Sequence, residues 1–102
     1  MTRALVISDS ERNEVRRVLS AHLPPDFQVH VFGSRAGGSP KPWSDLDLAL
    51  TGPVPLPLAL LAELADAFDE SALPFKVDLV DHRTVSEAFS AIIDATAIPF
   101  NL

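Results

Sequence analysis

The sequence predicts a small α+β domain in which a mixed sheet of three strands, or slightly more, is flanked by about three helices. Three short apolar runs, at residues 27–32, 45–51 and 75–80, have the length and the β-branched or aromatic content of strands. Three longer segments repeat apolar residues every three or four positions, as amphipathic helices do. Turns rich in glycine and proline separate these runs. We therefore expect a single domain over residues 1–102.

Composition and charge argue against several classes of protein. Hydrophobic residues make up 47% of the 102 positions, and no apolar run reaches the roughly 18 residues that a membrane span needs. The apolar run at residues 4–7 is too short for a signal peptide, and cysteine is absent, so we expect a cytoplasmic protein without disulfides. The net charge of −6, from 14 acidic and 8 basic residues, argues against an extended nucleic-acid footprint.

The first helix is predicted over residues 8–22. Ser8-x-x-Glu11 has the pattern of a capping box, in which two side chains satisfy free backbone amides at the start of a helix. Pro24 and Pro25 end the segment. One apolar stripe follows the helical spacing: Val15, Val18, Leu19 and His22.

The first two strands, at about residues 27–32 and at 45–51, enclose a loop rich in glycine, proline and serine. We expect the strands to pair antiparallel, which brings the start of the second strand beside this loop. His30 is interpreted as a strand-face residue, with a position near the site as the alternative. Trp43 is interpreted as an anchor that packs the loop onto the domain, with a stacking surface as the alternative.

A second helix, from about residue 57 to 72, leads to the third strand at 75–80. Pro57 suits the first turn of a helix, because its missing N–H would have no partner there. Asp78 shares a strand face with Lys76, and its charge is unfavourable in an apolar strand unless it is paired or ligated. The buried stripe predicted for the helix is Leu60, Leu61, Leu64 and Phe68.

A third helix follows Thr84-x-x-Glu87, which again has the pattern of a capping box, and Pro99 stops it. The apolar tail at residues 98–102 is predicted to lie either against the core or against a partner. The residues expected to face the core are Val85, Ala88, Phe89, Ile92 and Ile93.

Two carboxylates open the second strand. Because side chains two positions apart on a strand point to the same face, Asp45 and Asp47 project together. Two like charges so close are costly unless a cation neutralises them, and carboxylate oxygens suit Mg²⁺ or Mn²⁺. Next to the first strand, Gly33 lets a phosphate approach the backbone, Ser34 offers a hydroxyl and Arg35 offers a positive fork.

Gly33-Ser34, ten further residues and Asp45-x-Asp47, with Asp78 on a later strand, resemble the signature of the polymerase-beta-type nucleotidyltransferase superfamily. The similarity is greatest to its minimal nucleotidyltransferase (MNT) branch, the antitoxins of HEPN/MNT toxin–antitoxin pairs. It extends from about residue 11 to the last helix. The resemblance implies the nucleotidyltransferase fold.

The same resemblance implies a reaction, in which AMP is transferred from ATP to a hydroxyl group with release of pyrophosphate. Asp45, Asp47 and Asp78 would bind two Mg²⁺ ions, with Mn²⁺ as the alternative, and Asp78 would help to deprotonate the acceptor. Asp81 competes weakly with Asp78 for the third carboxylate position.

The resemblance also implies how the triphosphate is held. Gly33 and Ser34 would bind the β- and γ-phosphates, with Arg35 assisting. Many relatives carry a basic residue two positions after this arginine, where the present chain has Gly37. Lys41 is expected to substitute for it from elsewhere in the loop.

The acceptor must come from outside this domain, because larger relatives carry a second domain for it and nothing here supplies one. The resemblance implies a HEPN-type toxin whose tyrosine accepts AMP, within a homo- or hetero-oligomer. Two alternatives remain open. One is an antitoxin that neutralises its partner by binding alone, and the other is an enzyme that modifies a small molecule such as an aminoglycoside.

Overall fold

A computed structural model describes residues 5–102, so Ala4, the first residue of the apolar run at 4–7, lies outside the described part of the chain. One mixed sheet carries two helices on one face and one helix on the other. The elements in chain order are α1 Asp9–His22, β1 Gln28–Phe32, a 3₁₀ turn Gly33–Arg35, β2 Leu46–Thr51, α2 Leu58–Asp69, β3 Val77–Asp81, α3 Glu87–Thr96 and β4 Ile98–Pro99. The predicted α+β class is confirmed.

Helix α1 begins at the predicted capping box. The backbone amide of Glu11 donates to Ser8 Oγ at 3.1 Å, and the amide of Ser8 donates to Glu11 Oε1 at 3.0 Å. Val15, Val18 and Leu19 are buried against the sheet, as their spacing predicts. The capping residues therefore set where the helix begins, and its apolar stripe sets which side faces the sheet.

The sheet has the strand order β3-β2-β1-β4. Strands β1 and β2 are antiparallel, as predicted, whereas β2 and β3 are parallel and α2 connects them. The fourth strand comes from the apolar tail: Ile98 is paired with Val31, and the amide of Phe100 donates to the carbonyl of Val29 at 2.9 Å. Phe100 is buried, so the tail belongs to the core of its own domain.

Successive side chains of β2 alternate between the core face of the sheet and the face that carries the candidate site. Leu46, Leu48 and Leu50 are fully buried beneath α1 and α2. Asp47 and Ala49 point to the opposite face, where α3 covers Ala49 with Ile93. This period of two therefore places the carboxylate of Asp47 on the face that is only partly covered.

Helix α2 is shorter than predicted. Pro57 is its N-cap rather than a residue of its first turn, and the helix ends at Asp69 instead of near residue 72. Ser71 explains the early end, because both its amide and its hydroxyl donate to the carbonyl of Phe68. No helix in the described residues 5–102 is long and apolar enough to span a membrane.

Two predictions about α3 are wrong. Its N-cap is Ser86, whose Oγ accepts from the amide of Phe89 at 3.2 Å, while the hydroxyl of Thr84 donates to the carbonyl of Asp81 within the preceding turn. Of the five apolar residues expected in the core only Ile93 is fully buried, and 61% of Ile92 is exposed. The spacing of apolar residues predicts which side of a helix is apolar, but it does not predict whether another element covers that side.

Asp81 closes β3 and is 4% exposed. Its Oδ2 accepts from the amide of Leu56 at 2.8 Å, and its Oδ1 accepts from the amide of Arg83 at 3.0 Å. The carboxylate therefore ties the segment before α2 to the turn after β3.

We expect Asp81→Ala to lower the free energy of unfolding by about 2–3 kcal/mol, because two backbone amides lose a charged acceptor. Urea denaturation would measure this loss. Asp66→Ala, at an exposed position of α2, is the matched control and should change stability by less than about 0.5 kcal/mol. Equal midpoints for the two variants would contradict this role of Asp81.

Candidate active site

Three strands bring two of the predicted carboxylates together. In the register of the sheet, Asp47 lies opposite Phe32 of β1 on one side and beside Asp78 of β3 on the other. Adjacent strands are about 4.8 Å apart, and residues in register point to the same face. Asp45 precedes Asp47 by two residues, just before β2 begins.

The pKa of Asp47 is shifted by its burial and by the neighbouring carboxylates. Its pKa is raised to about 6 from the ordinary 3.8, first because the side chain is partly buried, and then because Asp78 and Asp45 repel its negative charge. Negative charge therefore accumulates at this end of the sheet.

Lys76 is the cation that the structure places beside this cluster. Its ammonium lies 3.5 Å from Oδ1 of Asp78, and both side chains are largely exposed. An exposed ion pair of this kind contributes little, so it leaves the charge on Asp47 unbalanced. Lys76 and Asp78 are two positions apart, a spacing that places both on one strand face and from which this pair could be predicted.

The donor set fits a hard divalent cation. Asp45, Asp47 and Asp78 offer only carboxylate oxygens, which are the ligands that Mg²⁺ and Mn²⁺ prefer. Within residues 5–102, no three acidic, histidine or cysteine side chains are already drawn together as a closed metal site. The carboxylates are neighbours, and their role as ligands remains a prediction.

Gly33 is required where the loop meets Asp47. Its φ of +76° lies in the left-handed region that side chains disfavour. A β-carbon at this position would also collide with Oδ2 of Asp47. The backbone of Gly33 therefore lies directly against the central carboxylate, and the side chain of Ser34 is exposed next to it.

The loop then turns back at two further glycines. Gly37 has a φ of +85°, and the amide of Gly38 donates to the carbonyl of Ser34 at 3.0 Å. A lysine or arginine at position 37 would be strained in this backbone conformation. This conformation gives a physical reason for glycine where many relatives were expected to carry a basic residue.

Arg35 does not take the position predicted for it. The side chain is 5% exposed, and its guanidinium donates to four backbone carbonyls: those of Val6, Lys41, Pro42 and Ser44, at 3.0–3.3 Å. It also lies 4.1 Å from the centroid of the Phe75 ring. Because these bonds use four of its five N–H donors, Arg35 holds the loop in place, and we withdraw it as a phosphate ligand.

The loop residues Lys41 and Trp43 are both exposed. The ammonium of Lys41 lies 5.6 Å from the centroid of the Trp43 ring, a cation–π distance. Trp43 is 68% exposed, so the interpretation of this residue as a packing anchor is wrong, and Arg35 performs that task instead. The role of Lys41 in phosphate binding remains a prediction.

Two alternative site residues lie elsewhere. His30 is in register with Ala49, and it lines a cavity with His82 and Asp94 rather than joining the three carboxylates. Asp81 is buried and bonded to backbone amides, so it cannot replace Asp78.

The sequence matches one protein family and is similar to known proteins. Residues 12–99 match the family model described as a nucleotidyltransferase domain. A Haemophilus influenzae protein named "Probable protein adenylyltransferase MntA" is 44% identical over 84 residues, which cover 82% of this chain and 74% of that protein.

Solved structures share the fold. A crystal structure of a toxin–antitoxin with AMP-PNP superimposes with a TM-score of 0.72 at 26% identity, covering 88% of this chain and 72% of the other. A structure of tri-AMPylated Shewanella oneidensis HEPN toxin in complex with MNT antitoxin gives a TM-score of 0.66 at 24% identity, covering 88% and 68%. The second likeness bears on the fold alone.

We expect Gly33→Ala to destabilise the protein by about 1 kcal/mol more than Gly37→Ala, because both strain a left-handed backbone but only the first collides with Asp47. Thermal and urea denaturation of the two variants would measure the difference. Equal losses would show that the contact between Gly33 and Asp47 carries no cost.

We expect Asp47→Asn to raise the free energy of unfolding by about 1 kcal/mol at pH 8 in a chelator, a figure discounted for solvent exposure. A raised pKa means that the wild-type fold loses stability as the pH rises from 3.8 through about 6, and the variant escapes this loss.

The gain should therefore shrink towards zero at about pH 3, below both pKa values, where Asp47 is largely protonated in the folded and the unfolded state. Asp26→Asn, at an exposed loop position, serves as the control and should show no such gain. A variant that is less stable than wild type at pH 8 would contradict the crowding of carboxylates.

Proposed function

Because the chain belongs to the nucleotidyltransferase domain family, which it matches over residues 12–99, we propose that it transfers AMP from ATP to a hydroxyl group of a protein partner. One observation carries this proposal: Asp47 lies between the backbone of Gly33 and the carboxylate of Asp78. A triphosphate against Gly33 and an acceptor beside Asp78 would then meet at Asp47.

The three carboxylates would hold Mg²⁺, or Mn²⁺ in its place. The bound ion supplies the positive charge that lets a triphosphate approach these carboxylates. The raised pKa of Asp47 supports this assignment, because burial and the charges of Asp78 and Asp45 disfavour its ionised form, which a bound cation would stabilise.

The chain's own groups would position the two substrates. Gly33 has no side chain between the phosphates and its backbone, and Ser34 presents its exposed hydroxyl beside them. Lys41 is the cation that remains available in the loop after Arg35 is assigned to its carbonyls.

Bond formation follows from this placement. The acceptor oxygen bonds to the α-phosphorus, the bond to pyrophosphate breaks, and an oxygen of Asp78 takes the proton of the hydroxyl. Asp78 suits this task because its side chain is 41% exposed and can reach an incoming acceptor.

The relatives support the choice of donor and acceptor. The Haemophilus influenzae relative is named a probable protein adenylyltransferase, and structures of this fold contain AMP-PNP or an AMPylated HEPN toxin. We therefore propose ATP as the donor, a tyrosine of a HEPN toxin as the acceptor, and an antitoxin role in the cytoplasm, where ATP is supplied.

One observation favours a second candidate, an antitoxin that acts by binding alone. Arg35 is buried and Gly37 replaces a basic residue, so the described loop offers the phosphates fewer cations than the family resemblance implies. Binding of Mg²⁺-ATP to the isolated protein would separate the two candidates.

We expect the double variant Asp45→Asn/Asp47→Asn to transfer no AMP above background while it stays folded. The protein and its variant would each be co-expressed with the product of the adjacent gene, and that partner would be weighed by intact mass spectrometry. An AMP-sized increment should appear with wild type and with the exposed control Asp26→Asn. Increments from the double variant would contradict the assigned site.

A further inference from the structure

One side of α3 is apolar and exposed next to the candidate site. Ile92 is 61% exposed and Phe89 is 37% exposed, and Ala88 is exposed as well. Ala88 and Phe89 lie four and three positions before Ile92, so both neighbour it in one strip along the helix. We call Ala88, Phe89 and Ile92 the α3 strip.

Contacts on both sides of α3 show which way this strip faces. The rings of Phe89 and Phe32 meet edge to face, with centroids 6.0 Å apart, and Phe32 directly precedes Gly33. On the other side of the helix, Ser90 and Asp94 both contact Nε2 of His82, which follows β3. The strip therefore faces the end of the sheet that holds Gly33 and Asp47.

The face of the sheet that carries α3 offers an acceptor protein an approach to the carboxylates. Helices α1 and α2 fill the other face of the sheet with the main core, so a hydroxyl can reach Asp47 and Asp78 from the α3 face. On that face α3 covers Ala49 and Phe32 through Ile93, and it leaves the α3 strip uncovered. An acceptor that arrives on this face therefore passes beside the strip.

We propose that the α3 strip is the docking surface for the acceptor protein, a segment with apolar side chains flanked by basic ones. This proposal rests on the proposed function. The apolar part follows from Phe89 and Ile92. The basic part follows from charge, because Phe89 of the strip contacts Phe32, which lies in register with Asp47, in a chain whose net charge is −6.

The test is Ile92→Lys, which places a positive charge in the centre of the strip. The matched control is Leu58→Lys, which makes the same change at a residue that is 84% exposed at the start of α2, on the other face of the sheet. Both positions are exposed, so both variants should fold, and thermal denaturation would verify this.

The probe is the product of the adjacent gene, and two quantities are measured: its affinity for each variant by calorimetry, and the rate of AMP transfer at increasing partner concentration. We expect Ile92→Lys to raise both Kd and KM for the partner at least tenfold, with kcat and Mg²⁺-ATP binding unchanged. Leu58→Lys should behave as wild type.

The outcomes separate this inference from the proposed function. Loss of partner binding in Ile92→Lys supports the docking surface even if no protein transfers AMP, in which case the proposed function alone fails. Unchanged partner affinity overturns the docking surface, whatever the transfer rate. If light scattering shows that Ile92→Lys only separates two copies of this chain while partner affinity stays the same, the strip is a self-association surface and the proposal is also overturned.

Discussion

Repulsion between neighbouring carboxylates is the constraint around which this small domain is built. Asp47 and Asp78 lie in register on adjacent parallel strands, and the pKa of Asp47 is raised to about 6 by burial and by the charges beside it. A fold selected for stability alone would avoid this arrangement. The rest of the structure holds it in place, because the fully buried Leu46 and Leu48 fix the strand on both sides of Asp47.

Some of the surrounding residues stabilise the fold, and others keep the carboxylates accessible to substrates. Arg35 and Asp81 are buried and bind backbone groups: Arg35 fixes the loop beside the site, and Asp81 fixes the chain at the opposite end of β3. Gly33 removes the side chain that would otherwise separate the loop from Asp47. Helix α3 covers only part of this face, which leaves room for substrates. Rigid support and an open approach are thus supplied by different elements.

Much of this arrangement could be predicted from the sequence, since strand periodicity places Asp45 and Asp47 on one face and Asp78 beside Lys76. Other features could not. Whether Arg35 meets a phosphate or four carbonyls depends on how the loop folds back, and a residue type does not reveal that. Similarly, the spacing of Phe89 and Ile92 marks an apolar side, yet whether the domain itself covers that side is a matter of tertiary packing. The ligand and phosphate-binding roles remain proposals.

The anchoring of the loop by Arg35 also bears on how such domains can diversify. All four of its described hydrogen bonds end on main-chain carbonyls, which every amino acid provides. Substitutions at Lys41 or Trp43 can therefore change what the loop presents to a substrate without removing the bonds that hold its shape. A family of such domains could keep this arginine and vary the exposed residues around it. New partners could then be recognised while the loop next to the carboxylates keeps its shape.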